Sequence, residues 1–210
     1  FMAERPVFSI CDSKVVSKMY SFEWFPGFAV SQKQKSIDSL HKAVKEADAQ
    51  ANPLEISSKS ANPLGVKLSA FNLCLNNHTL ENIFQSAKLF ENGGPYLDLL
   101  EVPPREAKRD ERLHNSGQLK AFCYQGAVFP LTPQTVFYDY IYIQAVKQSL
   151  AEQEVRALAY FTHFTDIEFN PKKSINTQAR SVALIRQLLA DYGELPDLSK
   201  NEFIRYHEAH

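Results

Sequence analysis

The stretch Leu80-Glu81-Asn82-Ile83-Phe84-Gln85-Ser86-Ala87-Lys88-Leu89-Phe90, LENIFQSAKLF, sets the reading of the chain. At roughly 100° per residue, Leu80, Ile83, Phe84, Ala87 and Phe90 fall on one arc. That pattern predicts an amphipathic helix seated on a core. Thr79 is placed to cap its start, and Gly93-Gly94-Pro95 to stop it. Glu81, Gln85 and Lys88 form a second stripe beside the apolar arc, about 10 Å long at about 1.5 Å per residue. Spacing alone leaves two readings of this stripe. It is a solvated edge with local ion pairs, or it is the wall of a cleft.

Outward from this helix, residues 5–10 (RPVFSI) and 54–57 (LEIS) read as short strands, and 65–71 (GVKLSAF) alternates like a third. Between them, residues 31–47 place Ile37, Leu40, His41 and Val44 on one helical face. Residues 105–113 read as a charged helix and 121–131 (AFCYQGAVFPL) as a strand or hairpin. Thr132-Pro133 reads as the cap and first position of a long helix carrying Val136, Phe137, Tyr140 and Ile141. A further helix is expected over about 151–162. Ser174 is placed to cap a last one that stops at Gly193. These elements predict a helix-rich α+β fold. One domain is expected over 1–210, with a core of about 4–190 and a C-terminal appendage of about 194–210.

The 210 residues are 44% hydrophobic and 22% charged, a globular composition with ample material for a core. No apolar run approaches the roughly 18 residues needed to span a bilayer. The start FMAERPVFSI lacks the pattern of a secretory signal. A net charge of −1 argues against coating nucleic acid by bulk electrostatics, though a small site that inspects one nucleotide remains compatible with it. Cys11, Cys74 and Cys123 are scattered and odd in number, which fits a reducing cytoplasm. Cys74 and Cys123 are expected to be buried thiols. The six histidines are scattered as well, and His207 and His210 read as a mobile chain end. No metal site and no cofactor are expected. The phosphate-binding loop, dinucleotide, nucleophile-elbow and zinc-protease patterns are all missing.

Two further segments could carry chemistry. FTDIEFNPKKSINTQA (164–179) gathers Asp166, Glu168, Lys172, Lys173 and Asn176 near a helix start, where free N–H groups can meet phosphate. A polar loop with a capped helix fits the same residues. Asp166 lies between Phe164 and Ile167, and burial there would raise its pKa. Trp24, the only tryptophan, sits in FEWFPGFAVSQ, either as core or as a platform for a base or sugar.

LSAFN (68–72), LENIFQSAK (80–88), REAKR (105–109) and FTDIEFNPKKSINTQA (164–179), in that order, resemble the NADAR family. That family carries an "SNF" strand, an "EHxFQxxK" helix, an "AxR" helix and a late Asp loop. The resemblance covers about residues 4–190 and is strongest to the members encoded beside DarT-type toxins, which ADP-ribosylate DNA. It implies an N-glycosidase that removes ADP-ribose from ADP-ribosylated guanine in DNA, an antitoxin with a DarT-type toxin as its functional partner. Glu81 and Lys88 match the helix glutamate and lysine, Asp166 the late aspartate, Asn176 the asparagine near the last helix, and Asn72 the strand asparagine. Tyr138 stands where the family has tryptophan, and Asn82 where it usually has histidine. The family's aromatic-Gly-Asp-Gly loop is replaced by Ile167-Glu168-Phe169-Asn170-Pro171.

The implied roles are Lys88 as amine nucleophile and Glu81 with Asp166 as acid/base and charge-stabilising pair. Gln85, Tyr138, Trp24 and Asn72 would contact ligand, while Lys173 and Asn176 hold the diphosphate. The competing readings are a glycosidase for another bulky modified base in phage defence, an enzyme for a small N-riboside, and a module that binds ADP-ribose without cleaving it.

Overall fold

The computed structural model describes residues 1–210, which form two compact units. The first comprises Phe1–Asn72, Leu150–Pro196 and His210, and the second Leu73–Ser149 and Asp197–Ala209. Helices and short strands alternate through both, a helix-rich α+β architecture.

In the first unit, β1 (Met2–Cys11) and β2 (Lys14–Glu23) form a long antiparallel hairpin. Its two-residue turn, Asp12-Ser13, has φ of 51° and 61°, the left-handed pair that matches strand twist. Helix α1 (Val30–Ala47) packs Ile37, Leu40 and Val44 against Val7, Phe22, Ala51 and Ile167. The short strands β3 (Pro53–Glu55) and β9 (His163–Thr165) complete a sheet of order β2-β1-β9-β3, in which β3 and β9 are parallel. Residues 65–71, expected as a strand, instead contain the end of helix α2 (Pro63–Lys67) followed by turns. Asn62 accepts from the Leu64 amide and Pro63 occupies the first turn, so local capping overrides the alternating pattern. Helix α7 (Glu152–Ala157) lies inside the expected 151–162 segment. Helix α8 (Gln178–Tyr192) ends at Gly193, φ +76°, as the sequence indicates. It begins later than expected, however. Thr177 caps it by accepting from the Ala179 amide, and Ser174 lies in the preceding turn.

The second unit begins with the two-residue strands β4 (Cys74–Leu75) and β5 (His78–Thr79) and continues into α3 (Leu80–Ser86). The helix ends two residues before Lys88. Strand β6 (Lys88–Phe90) follows at once and pairs with β7 (Leu119–Tyr124), which forms the expected hairpin with β8 (Ala127–Phe129). The expected charged helix is split into α4 (Pro104–Arg109) and α5 (Arg112–Asn115). At the break, the Asp110 carboxylate accepts from both the backbone amide and Nε of Arg112, each at 2.9 Å, a local turn that competes with helix. Helix α6 (Val136–Ser149) starts three residues after Pro133, because Thr135 holds a left-handed φ of 73°.

The chain end is ordered, contrary to the mobile tail expected. Helix α9 (Lys200–Ala209) buries Phe203, Tyr206 and His207. The His207 Nε2 lies 2.7 Å from Asp139 on α6, and both side chains are buried. Cys74 is exposed and Cys123 only partly covered, so neither is the buried thiol expected. No helix is long and apolar enough to cross a membrane.

Candidate functional site

In the second unit the candidate chemistry gathers at the junction of α3 and β6. Thr79 caps α3 by accepting from the Asn82 amide at 3.1 Å. Asn82 is buried, and its Nδ2 donates to the carbonyls of Leu99 at 2.7 Å and Val102 at 2.8 Å. Asn82 thus ties α3 to the segment before α4. Gln85 is buried as well. Its Nε2 donates to Glu81 Oε1 at 2.9 Å, which fixes the carboxylate's direction, while its Oε1 has no hydrogen-bond partner.

Lys88 is not on the helical stripe. As the first residue of β6 it pairs with Phe122, and its nitrogen lies 5.1 Å from the centre of the Phe84 ring. Phe84, expected as a core anchor, is only partly buried. Its ring meets Phe122 at 5.1 Å and the edge of Tyr138 at 6.0 Å. Burial pulls the Lys88 amine below the usual lysine range, the Glu81 carboxylate opposes this, and the exposed Lys108 adds to it. Gly94 explains how the backbone accommodates this corner: a Cβ there would stand 2.2 Å from the Lys88 carbonyl oxygen. Glu81, Gln85, Lys88 and Tyr138 therefore share one neighbourhood, reached by a helix end and a strand start where one continuous helix was expected.

In the first unit the centre is a pair of buried acids. Asp166 directly follows β9 and is buried. Its Oδ1 accepts from the Glu168 amide at 3.0 Å, and its Oδ2 from Gln178 Nε2 at 3.0 Å. Gln178 also donates to the Ile56 carbonyl and accepts from the Ala70 amide, so it is held from three sides. Burial, then the neighbouring Glu55, push the Asp166 carboxyl up to about 8. Asp166 thus holds its proton at neutral pH, as the apolar flanks in the sequence suggested. Glu55, on β3, was read only as part of a strand. The signal that could have found it is an acid between Leu54 and Ile56, inside a run short enough to be buried.

The remaining sequence candidates scatter around this pair. Trp24 packs against the α1 core cluster. Its ring faces the Arg5 guanidinium at 5.2 Å and the Lys33 ammonium at 4.9 Å, so cations of the protein itself stand where a stacked base was imagined. Lys33 also lies 3.8 Å from Glu168. Asn72 is exposed and donates to the Val66 carbonyl at 2.8 Å. Lys173 is exposed, and Asn176 precedes the Thr177 cap of α8.

A family model described as DarT1-associated NADAR antitoxin matches residues 3–210, nearly the whole chain. No curated protein matches the chain.

Proposed function

The chain belongs to the DarT1-associated NADAR antitoxin family, and from that premise we propose that it is an N-glycosidase that releases ADP-ribose from ADP-ribosylated guanine in DNA. On this reading the protein reverses the modification left by its DarT-type toxin. The observation that carries the proposal is the Lys88 amine. Partial burial lowers its proton affinity while the Glu81 carboxylate remains close enough to act on it.

Cleavage of an N-glycosidic bond develops positive charge on the ribose, which a carboxylate stabilises. In the proposed reaction the neutral Lys88 amine forms a bond to the anomeric carbon as the bond to the base nitrogen breaks. The bonding electrons leave with the base, which takes up a proton supplied by an acid. Ring opening leaves an iminium between Lys88 and the sugar. Water hydrolyses it, freeing ADP-ribose and restoring the amine. Glu81, oriented by Gln85, is assigned to the developing charge. For Asp166, in the first unit, an acid role is a separate proposal that rests on the resemblance and on the proton it holds at neutral pH.

The test is an oligonucleotide carrying ADP-ribosylated guanine, with products read by mass spectrometry. Free ADP-ribose and unmodified DNA are expected. An abasic site would identify a base-excising glycosidase instead, and tight ADP-ribose binding without turnover would identify a reader.

A further inference from the structure

Glu55 is almost fully buried, yet no cation pairs with it. Two of its hydrogen-bond donors are the residues that flank Asp166 in the chain. Thr165 Oγ1 donates to Glu55 Oε1 at 2.7 Å, and the Ile167 amide donates to Glu55 Oε2 at 2.9 Å. Three features hold the carboxylate in this place. The parallel pairing of β3 with β9 sets Glu55 opposite Thr165. Gly65 of α2 lets the chain close over the Glu55 carbonyl, where a Cβ would fall 2.0 Å from that oxygen. His41 of α1 lies with its Nε2 at 2.8 Å from Thr165 Oγ1. Since that hydroxyl hydrogen is directed at Glu55, His41 must be the donor to Thr165, through Nε2–H.

We infer that Glu55 is a positioning residue for Asp166: its buried carboxylate grips the residues on both sides of Asp166 and sets a fixed negative charge beside the Asp166 carboxyl. The inference rests on the acid role given to Asp166 above. Two like charges buried together ionise in steps, and the count of donors decides the order. Burial raises the Glu55 carboxyl as well, and hydrogen bonds from Ser57, Ile167 and Thr165 oppose that rise, whereas Asp166 receives them from Glu168 and Gln178 alone. With three donors against two, the pair's first charge is assigned to Glu55 and the proton to Asp166. The other groups around the pair are Arg5 from β1, which faces Asp166 and Glu168, and Glu168 itself with Lys33 of α1. His41, with Lys45 nearby, is held down to about 4 by burial and stays neutral above that pH.

The 210-residue chain, labelled with ¹³C at aspartate carboxyls, permits a direct titration of Asp166 by NMR without any catalysis. The wild-type midpoint should lie near 8. In Glu55→Gln it should fall by about one pH unit or more. Thr165→Val should move it the same way, because Glu55 without its hydroxyl donor holds charge less well. Thr165→Ser, which keeps that donor, should restore the wild-type midpoint. If Glu55→Gln fails to fold, the two Thr165 variants carry the comparison. An unmoved Asp166 midpoint in folded variants overturns the inference and leaves Glu55 a purely structural acid. Whether Asp166 serves catalysis is decided separately, by ADP-ribose release from Asp166→Asn. In a catalytically competent enzyme, the limb of the kcat profile due to Asp166 should move toward acid in Thr165→Val by the same interval.

Discussion

The Lys88 nitrogen stands 5.1 Å from the centre of the Phe84 ring, and that ring is in turn packed on Phe122, the residue paired with Lys88 across β6 and β7. The amine is thus held between an aromatic face and a strand edge. Its proton affinity is set by burial first, then by Glu81 and Lys108 with opposite signs. Removing a neighbouring cation favours the charged amine. Lys108→Ala should therefore raise the pH at which Lys88 becomes reactive, and Glu81→Gln should lower it. The pH dependence of Lys88 acylation, read by peptide mass spectrometry, measures both. Shifts of the same sign in the two variants would contradict this arrangement.

If Lys88 forms the iminium, reduction with cyanoborohydride during turnover should trap ADP-ribose on Lys88. Lys88→Ala should lose the adduct and slow ADP-ribose release by about 100-fold or more. Lys88→Arg keeps the charge but has no neutral amine and should fail equally. Wild-type rates in Lys88→Arg would make the residue a ligand-holding cation and remove the covalent route.

Asn82 is buried and gives both Nδ2 hydrogens to carbonyls, those of Leu99 and Val102. Asn82→Ala leaves these buried acceptors unpaired and should cost about 2–4 kcal/mol. In a chain of this size that corresponds to a fall in Tm of roughly 4–16 °C. The loss should appear as stability, with Lys88 trapping retained in the folded fraction at low temperature.

Much of this arrangement could be read in the sequence wherever the information is local. Ile37, Leu40 and Val44 announce α1 by their spacing, Gln125-Gly126 turns the 121–131 hairpin, and Gly193 ends α8. The reading failed where a distant partner decides. Nothing within LENIFQSAKLF forbids a longer helix. It ends at Ser86 because Lys88 and Leu89 find partners on β7, more than thirty residues away. Strand β2 carries little local signal because Asp12-Ser13 lacks the glycine that usually marks a tight hairpin turn. Glu55 is hidden in the sequence for a related reason. A lone acid in a strand reveals its burial only when Thr165 and Ile167, about 110 positions on, are brought to it.

Asp166 gives stability a defined pH dependence. In the unfolded chain its carboxyl loses its proton near the ordinary 3.8, whereas in the folded chain it holds the proton to about 8. Between those values the folded state binds more protons, so stability falls as pH rises from about 4 to about 8. Asp166→Asn removes this slope and can still accept the Glu168 amide. Its Nδ2 would face the Gln178 Nε2 donor at a constant cost, so the stability difference from wild type should move in the variant's favour by on the order of a few kcal/mol between pH 4 and pH 8. Chemical denaturation at the two pH values checks this, and equal effects at both would show that Asp166 is ionised in the folded protein.

The C-terminal helix makes the last case. Phe203 of α9 meets Tyr140 with ring centres 5.6 Å apart, and His207 meets Asp139, which also accepts from Thr135 Oγ1 at 3.0 Å. His207→Ala removes the imidazole from a carboxylate with no solvent access. Leaving a buried polar group without its hydrogen-bond partner typically costs about 1–3 kcal/mol. His207→Ala should therefore lower Tm far more than a change at a frayed terminus would. Asp139→Asn with His207→Gln, which pairs two neutral amides in place of the acid and the imidazole, should recover part of the loss. Thermal unfolding of the single and double variants, run as a double-mutant cycle, measures the coupling directly. A coupling near zero would mean that the polar pair contributes nothing to the attachment of α9.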